Sequence, residues 1–479
     1  EDFFNDIAGA RKACQDRAVL RAIHLFNENK RVEKAVSSLK NNDLTEGKIW
    51  KVMLNFVLPI FLGTLFQSLY TTIDAIIIGR FAGKDAFAAI ESVLSFQRLP
   101  VSFFVGLSSG ATIIISQYFG AKKKEEVSKA SHTAILFAIV GGLLLSVLSC
   151  VLSPFFIKLI KVPNEIFYQA QIYTIICFSG IVFSMVYNIG SGILRALGDS
   201  KTPFYILIVS NILNIILDLI LVIVFKLGVI GVGFATLISQ VASAILIFII
   251  LLRTKLDCKI YINRIRFYKK YLKEIFRLGL PIGIQSIIYP IANTTIQSNI
   301  NIFGVSSIAA WAVCGKLDFL IWAVSEAFSI AISTFVAQNY GAKKHQRARI
   351  GIVVALFMAM IAIFIISFIL YIWNKPLAHF LINDKNIVEL TSQIIHLLAP
   401  LYFIYVIGDV LSGAIRGIGD TFNPMIINIF GICIIRLLWI FFIVPLNPTF
   451  FMVLYSFIVS WIITTIMYIT YIIYKRKNF

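Results

Sequence analysis

Gly192-Ile-Leu-Arg-Ala-Leu-Gly-Asp-Ser-Lys-Thr-Pro203 returns 221 residues later as Gly413-Ala-Ile-Arg-Gly-Ile-Gly-Asp-Thr-Phe-Asn-Pro424. The same offset joins Gln117-Tyr-Phe-Gly-Ala-Lys-Lys123 to Gln338-Asn-Tyr-Gly-Ala-Lys-Lys344, and Gly83 to Gly304. Leu58-Pro59 and Leu280-Pro281 fall one residue out of that register, which a single insertion explains. Independent matches at one spacing mark an internal duplication, so the chain is two copies of one structural unit.

Composition says what the unit is. The 479 residues are 59% hydrophobic and 14% charged, with a mean hydropathy of +0.87. A soluble globule carries about 25% charge, so water is not the main solvent here. Apolar runs between turn and charge signals predict helices near 52–79, 86–118, 131–161, 165–197, 203–226 and 229–253. Six more are expected near 273–301, 307–339, 348–373, 387–417, 424–448 and 450–475. An even number of spans per copy keeps both copies in the same orientation, related by an axis along the membrane normal. The expected fold is therefore an all-α integral membrane protein, with 12 transmembrane helices in two pseudo-symmetric six-helix lobes. The lobes are residues 43–253 and 273–479, with a basic linker over 254–272. Residues 1–42 stand apart: Val19, Ile23 and Phe26 form a weak helical stripe among many charges. They read as a solvated or interfacial helix, a fusion scar or a regulatory segment.

The formal charge of +19 would point to nucleic acid in a soluble protein. Beyond the first 51 residues, however, 23 basic residues gather in alternate short loops and the C-terminal tail, against seven in the other set. The positive-inside rule makes the richer set cytoplasmic and places both termini there, in a multi-pass plasma-membrane protein. The charge then encodes topology, with membrane lipid as partner and no nucleic acid. The linker run Ile260-Tyr-Ile-Asn-Arg-Ile-Arg-Phe-Tyr-Lys-Lys-Tyr271 reads as a strip along the inner membrane surface. The six cysteines show no close metal or redox spacing.

Ionisable residues inside spans are costly and mark function by default. Those well inside are Asp74, Glu91, Arg98, Asp218, Lys316, Asp318, Glu326, Asp409 and Arg436. Asn214 and Asp218 stack on one face of the fifth helix, giving an amide and a carboxylate as a pair of oxygen ligands. Thr236 adds a hydroxyl on the sixth. Pro59 lacks an N–H and is expected to bend the first helix, which also carries Asp74. The repeat supplies a control, because Asp74, Asn214 and Asp218 correspond to Thr295, Ile435 and Trp439. A purely architectural polar group would be kept in both copies, so the asymmetry favours an ion site in the first lobe. Glu91 and Arg98 share a face and read as a salt bridge or as substrate contacts. Substrate-path candidates are Gln67, Glu91, Lys316, Asp318, Glu326 and Asp409, while Arg436 reads as structural.

Two six-helix halves, Gly-x-x-Arg-x-x-Gly-Asp-[Ser/Thr]-x-x-Pro in each, Gln-x-x-Gly-Ala after the second and eighth helices and Leu-Pro opening the first and seventh resemble the multidrug and toxic compound extrusion (MATE) family over residues 44–479. The resemblance implies cation-coupled export of amphipathic, often cationic organic compounds through a V-shaped pair of lobes. It implies a proton or sodium site at Asp74, Asn214, Asp218 and Thr236, and it matches Pro59 to the proline of a bending first helix. Relatives with a Glu on the seventh helix differ from this chain, whose segment 283–293 holds no acid.

The expected partners are small organic molecules, with no cofactor, a proton or sodium as coupling ion, no metal beyond that sodium, and a monomeric chain. The alternative is a lipid-linked precursor flippase of a related superfamily. Such a cavity needs a strongly basic lining for a pyrophosphate, and only Arg98, Lys316 and Arg436 lie within the bundle against six acids. An enzyme is not expected: Asp-Asp-x-x-Asp, His-Glu-x-x-His and a Walker sequence are all absent.

Overall fold

The computed structural model describes residues 43–160 and 162–475. The N-terminal segment 1–42 singled out above lies outside the described residues. Among those described, eleven helices are long and apolar enough to cross a membrane, and a pair bent by 41° makes a twelfth. The first-copy spans are α1 (Ile49–Ala82), α2 (Lys84–Gly120), α3 (Lys124–Leu159), α4 (Asn164–Ser179 with Ile181–Ala196), α5 (Lys201–Val224) and α6 (Gly228–Arg253). The second-copy spans are α7 (Lys269–Asn301), α8 (Val305–Leu317 with Phe319–Gly341), α9 (His345–Leu381), α10 (Lys385–Gly417), α11 (Phe422–Leu446) and α12 (Phe450–Tyr474).

The duplicated motif is a helix–turn–helix joint, and its residues explain themselves. Gly198 and Gly419 take φ of 87° and 94°, a left-handed conformation that side chains with a Cβ avoid. Asp199 Oδ1 then accepts from the N–H groups of Lys201 (3.1 Å) and Thr202 (3.0 Å), satisfying orphan donors of the first turn of α5. Asp420 does the same for Asn423 in α11 at 3.3 Å. Pro203 and Pro424 sit in the first turn, where a missing N–H costs nothing.

Where the copies meet, the contacts concentrate at the end carrying the basic loops. Gln117 donates through Nε2 to Gly417 O (3.0 Å) and Gln338 through Nε2 to Ala196 O (2.7 Å), so each copy caps the end of a helix in the other. Gly120 and Gly341 permit this: a Cβ there would fall 1.9 Å from Gln338 O and 2.0 Å from Gln117 O. Further along, Gly106 and Gly110 of α2 lie against Gly283 and Gly279 of α7 with backbones almost touching, the small-residue packing that lets membrane helices approach closely. A strap at the start of α1 reinforces the same end, with Leu44 N–H on Gln338 Oε1 (3.0 Å) and Lys344 Nζ on Thr45 O (2.9 Å).

The hydrophobic cores do not follow the sequence halves strictly. Met53, Phe56 and Val57, the opening turns of α1, are buried in the core of the second copy. Tyr271, Ile275, Leu278 and Ile282, the opening turns of α7, are buried in the core of the first, together with Cys258 and Ile260 of the linker. Toward its other end each helix returns to its own copy: Ile77 and Ile78 pack with α2 and α6, and Ile296 and Ile300 with the second core.

Candidate functional site

Asp74, Asn214, Asp218 and Thr236 come from three helices and meet in the first lobe. Asn214 is surrounded on all sides: with its amide assigned so that both ends are satisfied, Nδ2 donates to Asp74 Oδ1 (3.1 Å) and Asp218 Oδ2 (3.3 Å), and Oδ1 accepts from the Thr236 N–H (3.2 Å). Both carboxyls thus face one amide. Asp218 is fully buried, its Oδ1 finds no neutral donor, and the Asp74 carboxyl lies within hydrogen-bonding reach. Two carboxyls this close cannot both stay ionised without a cation between them; one proton or one small hard cation satisfies the orphaned oxygen. Among the described residues, the ion pairs involve other acids, and no Lys or Arg locks either carboxyl. Wider π-type turns follow both acids, over Ile78–Ala82 and Leu219–Val224, where a regular ladder is locally released.

Thr236 enters differently from the reading of its hydroxyl, since the contact it makes runs through its main-chain N–H. Tyr70 is an addition: it lies one turn before Asp74 on α1 and lines the adjoining cavity. The i, i+4 spacing of Tyr70 and Asp74 was a signal available in the sequence.

A cavity of about 370 Å³ adjoins this cluster. Pro59, Gln67, Tyr70 and Thr236 line it, with Arg195 and Ser200 toward the basic end and Glu326 from the second copy. Pro59 is buried, and α1 runs on through it as one helix. At the positions paired with the acid cluster by the repeat, the second lobe is closed by apolar bulk. Trp439 donates its indole N–H to Met452 O (2.9 Å), and Phe457, the counterpart of Thr236, carries the Arg436 guanidinium 4.3 Å above its ring. Arg436 also donates through Nε to Ser460 Oγ (2.8 Å) and is buried, a structural position.

The path candidates divide. Gln67 and Glu326 line the first cavity. A second cavity of about 400 Å³ between the copies is lined by Val101, Val105, Gln285, Tyr289 and again Glu326. Asp409 faces a smaller space among Tyr289, Tyr405 and Trp461, held by Ser325 (2.7 Å) and Ser329 (3.1 Å). Glu91, Lys316 and Asp318 line none of these. Glu91 and Arg98 are exposed and form no ion pair with each other. Lys316 is exposed at the end of its short helix, and Asp318 is buried at the joint within α8, accepting from the Tyr402 hydroxyl (2.8 Å).

Residues 59–220 and, separately, 281–442 match the MatE family model, one match to each copy. The chain belongs to the MatE family. Among MatE relatives, it is 27% identical over 409 residues to the probable multidrug resistance protein YoeA of Bacillus subtilis, covering 84% of this chain and 88% of that one. The multidrug export protein MepA of Staphylococcus aureus is 24% identical over 398 residues, covering 82% and 87%. In fold, the chain matches the outward-facing conformation of a multidrug resistance MATE family transporter of the MOP superfamily with a TM-score of 0.85 at 19% identity, over 91% and 97% of the two chains. The protein is thus a multi-span membrane protein of a transporter family, which is not a class of enzymes. The glutamines of the repeated Gln-x-x-Gly-Ala motif take their role from reciprocal helix capping between the copies.

Proposed function

We propose that this MatE protein is a secondary active exporter that trades an inward-moving cation for outward-moving amphipathic organic cargo by alternating access. The observation that carries the reading is the contact of Asp74, Asn214 and Asp218, an acid cluster beside a cavity and present in only one lobe. Binding of the ion changes the charge that Asp74 presents, and Asp74 and Pro59 lie on the same helix. A ligand that favours one helix shape shifts the population toward it. One charge moving down 100 mV supplies about 2.3 kcal/mol, enough for roughly fifty-fold accumulation of a neutral cargo at one-to-one coupling.

Of the two ions, the proton fits the cluster better. With the Asn214 amide turned so that it donates to both acids, its oxygen is directed at the Thr236 N–H and away from them, and their facing oxygens are left to share one hydrogen. The basic end is read as cytoplasmic, with the cavity closed on that side by the reciprocal glutamines. Against the flippase alternative, the main cavity presents one arginine beside one glutamate rather than the basic surface a pyrophosphate head requires. The chain is taken to work as a monomer, since one chain supplies the lining of its cavities.

The deciding measurement is efflux from proteoliposomes under a proton gradient alone or a sodium gradient alone, with Asp218→Asn in parallel. Proton-driven transport that Asp218→Asn abolishes supports the reading. Transport by the folded variant at the unmodified rate would overturn the role given to the cluster.

A further inference from the structure

Among the described residues, Glu326 is the one charged side chain that lines both the cavity beside the acid cluster and the cavity between the copies. In the second of these it is the one charged residue, among Val101, Val105, Gln285, Tyr289 and Pro290. In the first it faces a single base, Arg195, with which it forms no ion pair. Its electrostatic neighbours are Arg195 and Asp409.

The duplication makes the placement informative. The residue paired with Glu326 at the 221-residue offset is Val105, which lines the same two cavities from the other copy. The architecture at this level therefore does not require an acid; a valine completes the wall. The neighbouring positions show the converse. Ser108 donates to Asn188 O (3.3 Å) in the first copy, as Ser329 does to Asp409 O (3.0 Å) in the second, so that structural contact is kept in both. Asp409 is bonded by two serines, one of which also accepts from Arg416 (2.9 Å). Glu326 has no such set of donors, and it is exposed toward the cavities. An ionised carboxylate among apolar walls attracts a positive charge far more strongly than it would in water.

Resting on the exporter reading above, we propose that Glu326 is the charge-selecting residue of this protein: it takes the positively charged end of an organic monocation where the two cavities meet. The apolar body of that cation lies against Val101, Val105 and Tyr289. Its role is distinct from that of Asp74 and Asp218, which hold the coupling ion.

The test is equilibrium binding to purified protein in lipid nanodiscs with no gradient, using tetraphenylphosphonium and its uncharged relative triphenylphosphine oxide. A charge-assisted contact corresponds to roughly ten- to a hundredfold in Kd. Glu326→Gln is expected to weaken tetraphenylphosphonium by that factor and to leave triphenylphosphine oxide within about threefold, while Glu326→Asp retains the discrimination. Unchanged tetraphenylphosphonium affinity in Glu326→Gln, or equal weakening of both compounds, overturns the assignment and leaves the exporter reading standing. If the unmodified protein does not bind tetraphenylphosphonium, the assignment is overturned, and the exporter reading is decided separately by the proteoliposome measurement.

Discussion

Replacing Gly120 by alanine tests how the two copies are held together. The added Cβ would lie 1.9 Å from Gln338 O, where ordinary contact begins at 3.4 Å, and the obstacle is backbone that cannot swing aside. The ends of α2 and α8 must then part by more than about 1 Å. That displacement breaks the bonds from Gln117 to Gly417 (3.0 Å) and from Gln338 to Ala196 (2.7 Å). At about 0.5–1.5 kcal/mol net for each bond, the closed arrangement loses about 1–3 kcal/mol. That is roughly a 5- to 150-fold shift in the ratio of closed to open at the basic end. Spin labels on Lys122→Cys and Lys343→Cys, both exposed at that end, report the separation by double electron–electron resonance. A new, longer distance is expected in Gly120→Ala, and in Gly341→Ala by the same geometry. A folded Gly120→Ala protein with an unchanged distance distribution would refute the view that this end is held shut by the reciprocal contact.

Other changes have equally definite expectations. Asp74→Asn removes one of the two carboxyls facing Asn214 and should abolish gradient-driven efflux with little loss of melting temperature, measured on the same preparation. Tyr402→Phe strips the hydroxyl from buried Asp318 and should cost about 1–3 kcal/mol of stability, with cargo selectivity in vesicle assays unaltered. Asp420, outside the spans, is held below the usual carboxylate range: burial pushes it up, but bonds from Lys475, Tyr471 and Asn423 outweigh that. A carboxyl lowered in the folded state stabilises above its unfolded value, near 4, and that stability is lost as pH falls through the lowered value. Thermal melts should therefore show Asp420→Asn less stable than the parent at neutral pH, with the gap closing in acid.

Much of this molecule was legible in the sequence because lipid imposes a simple code. Apolar runs had to be helices, and the offset shared by Gly192–Pro203 and Gly413–Pro424 tied two of their joints together before any coordinates. The site was legible for a related reason: Asp74, Asn214 and Asp218 were polar where their repeat partners were Thr295, Ile435 and Trp439. What stayed hidden depended on which helix faces which. Asp318 and Lys316 looked like path residues by being charged within a span. Only the joint within α8 shows one buried against Tyr402 and the other exposed and away from the cavities' linings. Tyr70 was hidden among many aromatic residues, and the role of Gln117 and Gln338 required knowing that one copy's helix ends beside the other's. A one-dimensional pattern does not report contacts across 300 residues.

The exchange of opening turns between α1 and α7 bears on how far the halves depend on each other. Each half lends an arm to its neighbour's interior, Met53, Phe56 and Val57 one way and Tyr271, Ile275 and Leu278 the other. A polypeptide made as two pieces, divided in the exposed stretch near Ile262, should therefore reassemble as a clasped pair, since neither piece can fill its own interior alone.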